Sequence, residues 1–393
     1  MFERKIFHRL KEHLSKKQVT VITGMRRVGK STALKYLLNE TPHQNKLYLD
    51  FERIENRVLF NQNSYSDIER GLAALGLNLN QPAILALDEI QLVPNSTSVI
   101  KSLYDTYQIK CIATGSSSFY LKNHFSESLA GRKQIFEMTT LDFEEFLSFK
   151  GIDTQRIRAE QNRTFLYTYY DLWKGYYEEY LQFGGFPEVV LSELNADKKE
   201  YLKDIFNAYI ELDIKLLSDF SVSDTLYKLI LLLANRVGSR VDYSKIASLI
   251  GINRNKVKDY INLLEYTYFI QTVAPFTGGI DKELTKQPKL YFSDTGLLQE
   301  CGQISSGALF ENAIANQLSR QGTINYFEKS AGSEIDFILD RSVAFEVKET
   351  ANQFDLNTLT ERAKALNIQD CRLIGRYLPE NGFKDFTWGG NIF

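Results

Sequence analysis

The opening third of the chain alternates short, almost wholly apolar runs with longer helix-like stretches. The apolar runs are Val19 to Thr23, Leu47 to Phe51, Ala83 to Leu87, Lys110 to Thr114 and Gln134 to Met138. They lack the alternation of a half-exposed strand, so each is expected to be buried on both faces. Strands of that kind separated by helical segments predict a parallel sheet with crossover helices. Beyond Thr140 the pattern changes to long helical stretches rich in Tyr, Phe and Leu, broken by the turn signal Gly184-Gly185-Phe186-Pro187. From Val222 to Phe276 two or three short helices precede β-rich residues, and from Ser306 onward the texture is mixed α and β. The expected fold class is α/β, with a parallel sheet first, a helical region after it and a mixed α/β end. The expected boundaries are 1–145 (parallel sheet), 146–220 (helical connection), 221–300 (short helices, then β-rich residues) and 301–393 (mixed α and β). No repeat, heptad run or low-complexity tract supports a solenoid or coiled coil.

Bulk properties add exclusions. A length of 393 residues leaves room for about two to three domains. The charged residues of Met1 to Arg9 interrupt what a signal peptide would keep apolar, and no apolar run is long enough for a membrane helix. Three distant cysteines, Cys111, Cys301 and Cys371, read as reduced core residues of a cytoplasmic protein. A net charge of -2 neither favours nor excludes nucleic acid, so the local distribution decides.

The run Gly24-Met25-Arg26-Arg27-Val28-Gly29-Lys30-Ser31-Thr32 satisfies G-x-x-x-x-G-K-[ST] between an apolar strand and a helix-like stretch. Glycines let backbone N–H groups curl round phosphates, and the helix N-terminus adds its positive end. Lys30 would reach the β and γ phosphates of ATP, and Ser31 would hold Mg²⁺. The alternative, a Gly-rich turn without a ligand, weakens because Ala83 to Leu87 runs into Asp88-Glu89 at the carboxyl end where sheet ligands bind. Asp88 suits the Mg²⁺ shell; Glu89 suits orientation or deprotonation of the attacking water. The next strand ends in Thr114-Gly115-Ser116, where Thr114 or Ser116 would sense the γ phosphate, or would simply begin a turn. Arg132 is a candidate arginine finger, in cis or from a neighbouring subunit, or a solvated arginine.

These motifs, with Leu87-Asp88-Glu89-Ile90-Gln91, Leu141-Asp142-Phe143-Glu144-Glu145-Phe146 and Gly184-Gly185-Phe186-Pro187-Glu188, resemble archaeal and bacterial AAA+ superfamily ATPases with a C-terminal domain of unknown function. The resemblance extends over essentially the whole chain. It implies ATP and Mg²⁺ as ligands, leaves an oligomer open, and implies a winged helix in the middle region. Thr139-Thr140 departs from the family pattern, which has a proline before Leu141.

Between Lys228 and Lys258 basic residues outnumber acids. Asp242 to Ile252 reads as a short helix closed by Gly251, and Asn253 to Tyr266 as a second helix with Val257, Ile261 and Leu264 on its apolar face. This is a helix-turn-helix outline with Arg254, Lys256 and Lys258 near the start of the candidate recognition helix. DNA contact and a lid or protein-contact module are both open readings.

At the C-terminal end Asp336 precedes a hairpin carrying Glu346 and Lys348, which alternation sets on one face, and Glu311 lies on an otherwise apolar helix face. Converging carboxylates bind Mg²⁺ through oxygen. The order helix, three strands, helix, strand resembles the restriction-endonuclease-like fold, which implies a second Mg²⁺ site at Glu311, Asp336 and Glu346, assisted by Lys348. Against it stands a degenerate domain in which Glu346 and Lys348 merely pair. The expected α/β architecture is thus a P-loop NTPase parallel sheet at 1–145, a helical connection or lid at 146–220, a winged-helix-like region at 221–300 and a nuclease-like α/β domain at 301–393. The expected function is an ATPase coupling nucleotide state to DNA or to a protein partner. The alternatives are an ATP-gated Mg²⁺-dependent endonuclease and a non-cleaving, nucleotide-controlled protein-interaction switch.

Overall fold

A computed structural model describes residues 2–116, 129–154, 167–214, 223–277, 286–329, 332–379 and 382–392. The chain divides into two compact units, Met1–Thr139 with Tyr266–Tyr268, and Thr140–Glu265 with Phe269–Phe393.

In the first unit, strands β1 (Val19–Thr23), β2 (Lys46–Asp50), β3 (Ala83–Asp88), β4 (Ile109–Gly115) and β5 (Lys133–Glu137) form one sheet of order β2-β3-β4-β1-β5. All four pairings are parallel. The three inner strands β1, β3 and β4 are buried at every position, which is why their sequences are continuously apolar. The edge strands β2 and β5 are only partly covered. Helices α1 (Lys5–Leu14), α2 (Lys30–Glu40), α3 (Ile54–Phe60), α4 (Tyr65–Ala74) and α5 (Ser96–Thr106) belong to the same unit. Val21, Leu49, Phe51, Leu85, Leu87, Ile100 and Leu103 share one core. The expected strands are therefore present, displaced by a residue or less at their ends. Parallel register aligns Thr23 with Gly115 and Asp50 with Asp88, so the phosphate loop, the paired acids and the hydroxyl residues all follow carboxyl ends of the sheet.

The second unit begins with helix α6 (Phe143–Phe149), whose capping box joins the Asp142 side chain to the Glu145 backbone N–H at 2.8 Å. Helices α7 (Tyr167–Phe183), α8 (Pro187–Leu191) and α9 (Asn195–Ala208) make the expected helical region, and α10 (Ser223–Ala234) opens the following stretch of short helices. The Gly184-Gly185 turn has a steric cause. Gly184 has φ 73°, and a Cβ there would lie 2.0 Å from an Asp294 carboxylate oxygen; a Cβ on Gly185 would lie 2.3 Å from the Leu141 carbonyl oxygen. Asp294 itself accepts the Gly185 N–H at 2.8 Å. Helix α11 (Tyr243–Ile250) starts at an Asp242 cap and stops at Gly251, φ 79°; α12 (Arg254–Tyr266) follows.

Strands β6 (Ile270–Pro275), β7 (Lys289–Phe292), β8 (Ile324–Glu328), β9 (Glu334–Leu339), β10 (Val343–Thr350), β11 (Asp370–Tyr377) and β12 (Thr387–Trp388) form a seven-stranded mixed sheet, order β12-β11-β10-β9-β8-β6-β7. The β6–β7 hairpin is antiparallel, and β6 pairs β8 in parallel through Ala274 and Pro275. The hairpin that follows α12 thus continues into the C-terminal strands as one sheet. Helices α13 (Thr295–Cys301), α14 (Ser306–Ser319) and α15 (Gln353–Lys364) complete the C-terminal α/β region.

Candidate functional site

The phosphate loop is built by three left-handed or glycine-only backbone positions. Gly24 has φ 149°, Arg27 φ 65°, and Gly29 caps α2 at φ 101°. A Cβ on Gly24 would stand 2.0 Å from the Met138 carbonyl oxygen, at the end of β5, so only glycine lets the loop leave β1 along this path. Met25 and Val28 are buried, whereas Arg27 and Thr32 are exposed and Ser31 is half-buried. Arg26 approaches Glu52 at 3.7 Å. Lys30 is buried, and its ammonium donates to the carbonyl oxygens of Gly24 at 3.0 Å and Met25 at 2.9 Å. Those two bonds anchor the Lys30 side chain along the inside of the loop. The sequence reading missed one part of this loop. Arg4, buried ahead of α1, donates to the Val28 carbonyl oxygen at 3.0 Å and to that of Thr139 at 2.9 Å. An arginine twenty residues before the motif carries no local signal of that role.

Beside the loop, Asp88 is buried and accepts from Tyr48 Oη at 2.8 Å; its other oxygen accepts from Thr114 Oγ1. Thr114 Oγ1 in turn accepts the Glu89 backbone N–H at 3.2 Å. Burial pushes the Tyr48 phenol up, with Asp88 adding to the effect, so Tyr48 remains a donor to the carboxylate. Glu89 sits in a left-handed backbone conformation, φ 56° and ψ 49°, at the start of a three-residue turn, Ile90–Leu92. Its side chain accepts from Gln91 Nε2, which also donates to Ser116 Oγ at 2.9 Å. Burial raises the Glu89 carboxyl above the ordinary range, while Lys30 and Arg26 pull it back. Glu89 is therefore electrostatically linked to the loop lysine. Lys30, Asp88, Glu89, Thr114 and Ser116 form one constellation, with Tyr48, Gln91 and Arg4 as members the motif search passed over. The glycine cradle, the charged lysine and the hydroxyl and carboxylate of Ser31 and Asp88 fit a nucleotide phosphate with Mg²⁺.

Arg132 is not brought to this constellation. It precedes Lys133, which pairs with Val19 at the amino end of β1, and its guanidinium binds Asp105 at 2.9 Å. The loop leaves β1 at the other end, four residues further on at about 3.3 Å each. Within the chain Arg132 thus lies at the end of the sheet opposite the loop.

In the second unit, Glu311, Asp336, Glu346 and Lys348 do converge, but they are partnered by groups that sequence reading did not include. Lys289 on β7 is buried, lies 3.8 Å from Glu311, and pairs with Glu334. Tyr291 Oη donates to Glu311 at 2.7 Å. Asp336 accepts the Val347 N–H at 2.8 Å; Glu346 binds Lys348 at 2.8 Å and faces Arg362 at 3.9 Å. Burial, then the nearby Asp336 carboxylate, pushes Glu311 and Glu346 each up to about 7. Among the described residues no three His, Cys, Asp or Glu side chains are arranged to hold a metal ion. Lys289, Lys348 and Arg362 pair with part of the cluster, and Glu346 Oε2 stays buried without a hydrogen-bond partner among the described residues. The cluster reads as an internal ion network and does not fit the Mg²⁺ site expected from the carboxylates alone.

The basic residues Arg254, Lys256 and Lys258 are exposed on the first turns of α12, with Val257, Ile261 and Leu264 buried beneath. Asn253 caps the helix through the Lys256 N–H at 2.8 Å. Asn253, Arg254, Asn255, Lys256 and Asp259 line a shallow cleft of about 470 Å³.

Residues 16–147 match the AAA domain family. Residues 174–307 and 306–392 match two domains of unknown function, DUF8612 and DUF4143. The chain is 26% identical over 387 residues to an uncharacterized protein of Methanocaldococcus jannaschii, covering 94% of this chain and 84% of that one. It is 27% identical over 359 residues to an uncharacterized protein of Haemophilus influenzae, covering 86% and 85%. Among solved structures it is similar to the Aeropyrum pernix ORC1 protein in complex with DNA, at 13% identity and TM-score 0.31, over 79% of this chain and 93% of that one. It is also similar to the ADP form of Aeropyrum pernix ORC2, at 13% identity and TM-score 0.35, over 68% and 84%. Those scores add no argument to the geometry. The matched N-terminal segment is similar to the AAA domain family, and its five-stranded parallel sheet has the P-loop NTPase fold.

Proposed function

We propose that this chain hydrolyses ATP and uses the nucleotide state to control binding of DNA, with a protein partner as the competing target. The observation that carries the first half is the joined set Lys30, Asp88, Glu89 and Thr114 beside the glycine cradle. Lys30 and the loop N–H groups would hold the β and γ phosphates. Ser31 and Asp88 would hold Mg²⁺, which when bound neutralises charge between those phosphates. Glu89 takes a proton from the attacking water, the water oxygen bonds to the γ phosphorus, and the bond to ADP breaks. Thr114 holds Asp88 and the Glu89 backbone in one frame, and Ser116 reaches Glu89 through Gln91. Arg132 has no part in this scheme within one chain; a role in catalysis would require a neighbouring copy.

The exposed basic turn of α12, followed by a β hairpin, supports a winged-helix reading of residues 221–300 and DNA phosphate as its ligand. The order α14, β8, β9, β10, α15, β11 supports a nuclease-like fold for residues 301–393, while the paired carboxylates favour a non-cleaving role over the endonuclease alternative. The test is Mg²⁺-dependent ATP hydrolysis by wild type and Lys30→Ala, with and without duplex DNA. Hydrolysis lost in the variant and stimulated by DNA is expected. Hydrolysis indifferent to DNA moves the target to protein, and no hydrolysis removes the reading.

A further inference from the structure

Gln91 is two residues from Glu89, and in a straight strand it would share the Glu89 face but stand about 6.6 Å further along. The left-handed backbone at Glu89 and the tight turn over Ile90–Leu92, closed by the Leu92 N–H on the Glu89 carbonyl at 3.0 Å, fold it back. Its amide nitrogen then spends both hydrogens, one on the Glu89 carboxylate and one on Ser116 Oγ. The amide orientation follows from chemistry: an ionised carboxylate only accepts, so the nitrogen must face it. That leaves the Gln91 carbonyl oxygen buried and without a hydrogen-bond partner among the described residues. A buried amide oxygen left without a donor is destabilising unless something supplies one. A left-handed non-glycine residue also costs energy, and both costs fall on the same turn.

Resting on the ATPase reading above, we propose that Gln91 is a positioning residue for hydrolysis: its N–H₂ group orients Glu89 against Ser116, and its open carbonyl accepts a hydrogen from the attacking water. Water has two hydrogens. Glu89 removes one as the oxygen bonds to phosphorus, and the Gln91 carbonyl holds the other, aiming a lone pair at the γ phosphate.

The experiment compares wild type, Gln91→Ala, the near-isosteric Gln91→Glu and Lys30→Ala in steady-state ATP hydrolysis across pH, with ADP affinity and melting temperature measured alongside. Gln91→Ala is expected to lose about 10–100-fold in kcat, with KM for ATP and ADP affinity within about twofold of wild type. Gln91→Glu keeps the side-chain shape but has no N–H₂ group, so it should lose kcat as well, and it keeps the test open should the alanine variant not fold. An unchanged kcat in both variants, beside loss in Lys30→Ala, overturns the proposal alone. Loss of kcat together with ADP affinity and melting temperature marks a structural role and overturns it too. A wild type without hydrolysis overturns the ATPase reading and this proposal with it.

Discussion

At the scale of single residues, this site depends on contacts with very little slack. Gly24 passes the end of β5 so closely that a methyl group would meet the Met138 carbonyl oxygen at 2.0 Å. Gly24→Ala is therefore expected to lose nucleotide binding by at least about tenfold, since either the loop or β5 must move; fluorescence titration with a labelled ADP checks this. Arg4 acts on the loop from outside the motif. Removing its two donors leaves the Val28 carbonyl oxygen short of a partner, at a cost of about 1–3 kcal/mol, so Arg4→Ala should weaken ADP binding and lower the melting temperature together. An ADP affinity equal to wild type would mean that the loop holds its shape without Arg4. Neither residue's partner could be named from sequence. Gly24 was legible as part of a spaced pattern, whereas Arg4 and Tyr48 stand in stretches whose pattern says only amphipathic helix or edge strand.

At the scale of elements, strand alternation placed Asp336, Glu346 and Lys348 on one face, and the structure agrees. What alternation did not reveal is β7. Lys289 comes from another hairpin and enters the carboxylate cluster because β6 pairs both β7 and β8. Glu311 and Glu346, pushed up to about 7, bind protons more tightly folded than unfolded. Their contribution to stability is full below the unfolded carboxyl pKa of about 4.3 and is lost as pH rises through about 7. The melting temperature of the second unit is expected to fall between about pH 4.3 and about pH 7, and Glu311→Gln should flatten that dependence. A melting curve independent of pH in this window would rule out the protonated network. Added Mg²⁺ should leave wild-type melting unchanged, since Lys289, Lys348 and Arg362 already pair with Glu311 and Glu346; an Mg²⁺-dependent rise would restore a metal site there.

At the scale of the whole molecule, the two units carry different chemistry on one chain, and the coupling between them is what experiment must measure. If the exposed turn of α12 contacts DNA phosphate, the double substitution Lys256→Ala with Lys258→Ala should weaken binding across sequences and reduce the slope of log affinity against log salt by about 2. An unaltered slope would take those lysines out of the DNA interface. No described helix is long and apolar enough to cross a membrane.

The sequence by itself determined the α/β sheet, the phosphate loop and the paired acids, because continuous apolar strands, a spaced glycine motif and a strand ending in Asp-Glu each encode their role within a few neighbouring residues. Only the tertiary structure decided which distant side chains complete them: Arg4 under the loop, Tyr48 on Asp88, Gln91 folded back on Glu89, Lys289 among the carboxylates, and Arg132 at the far end of its strand. The reason is physical. Strand and helix periodicities report which way a side chain faces, while the partner it meets depends on strand order and direction, which local pattern does not encode.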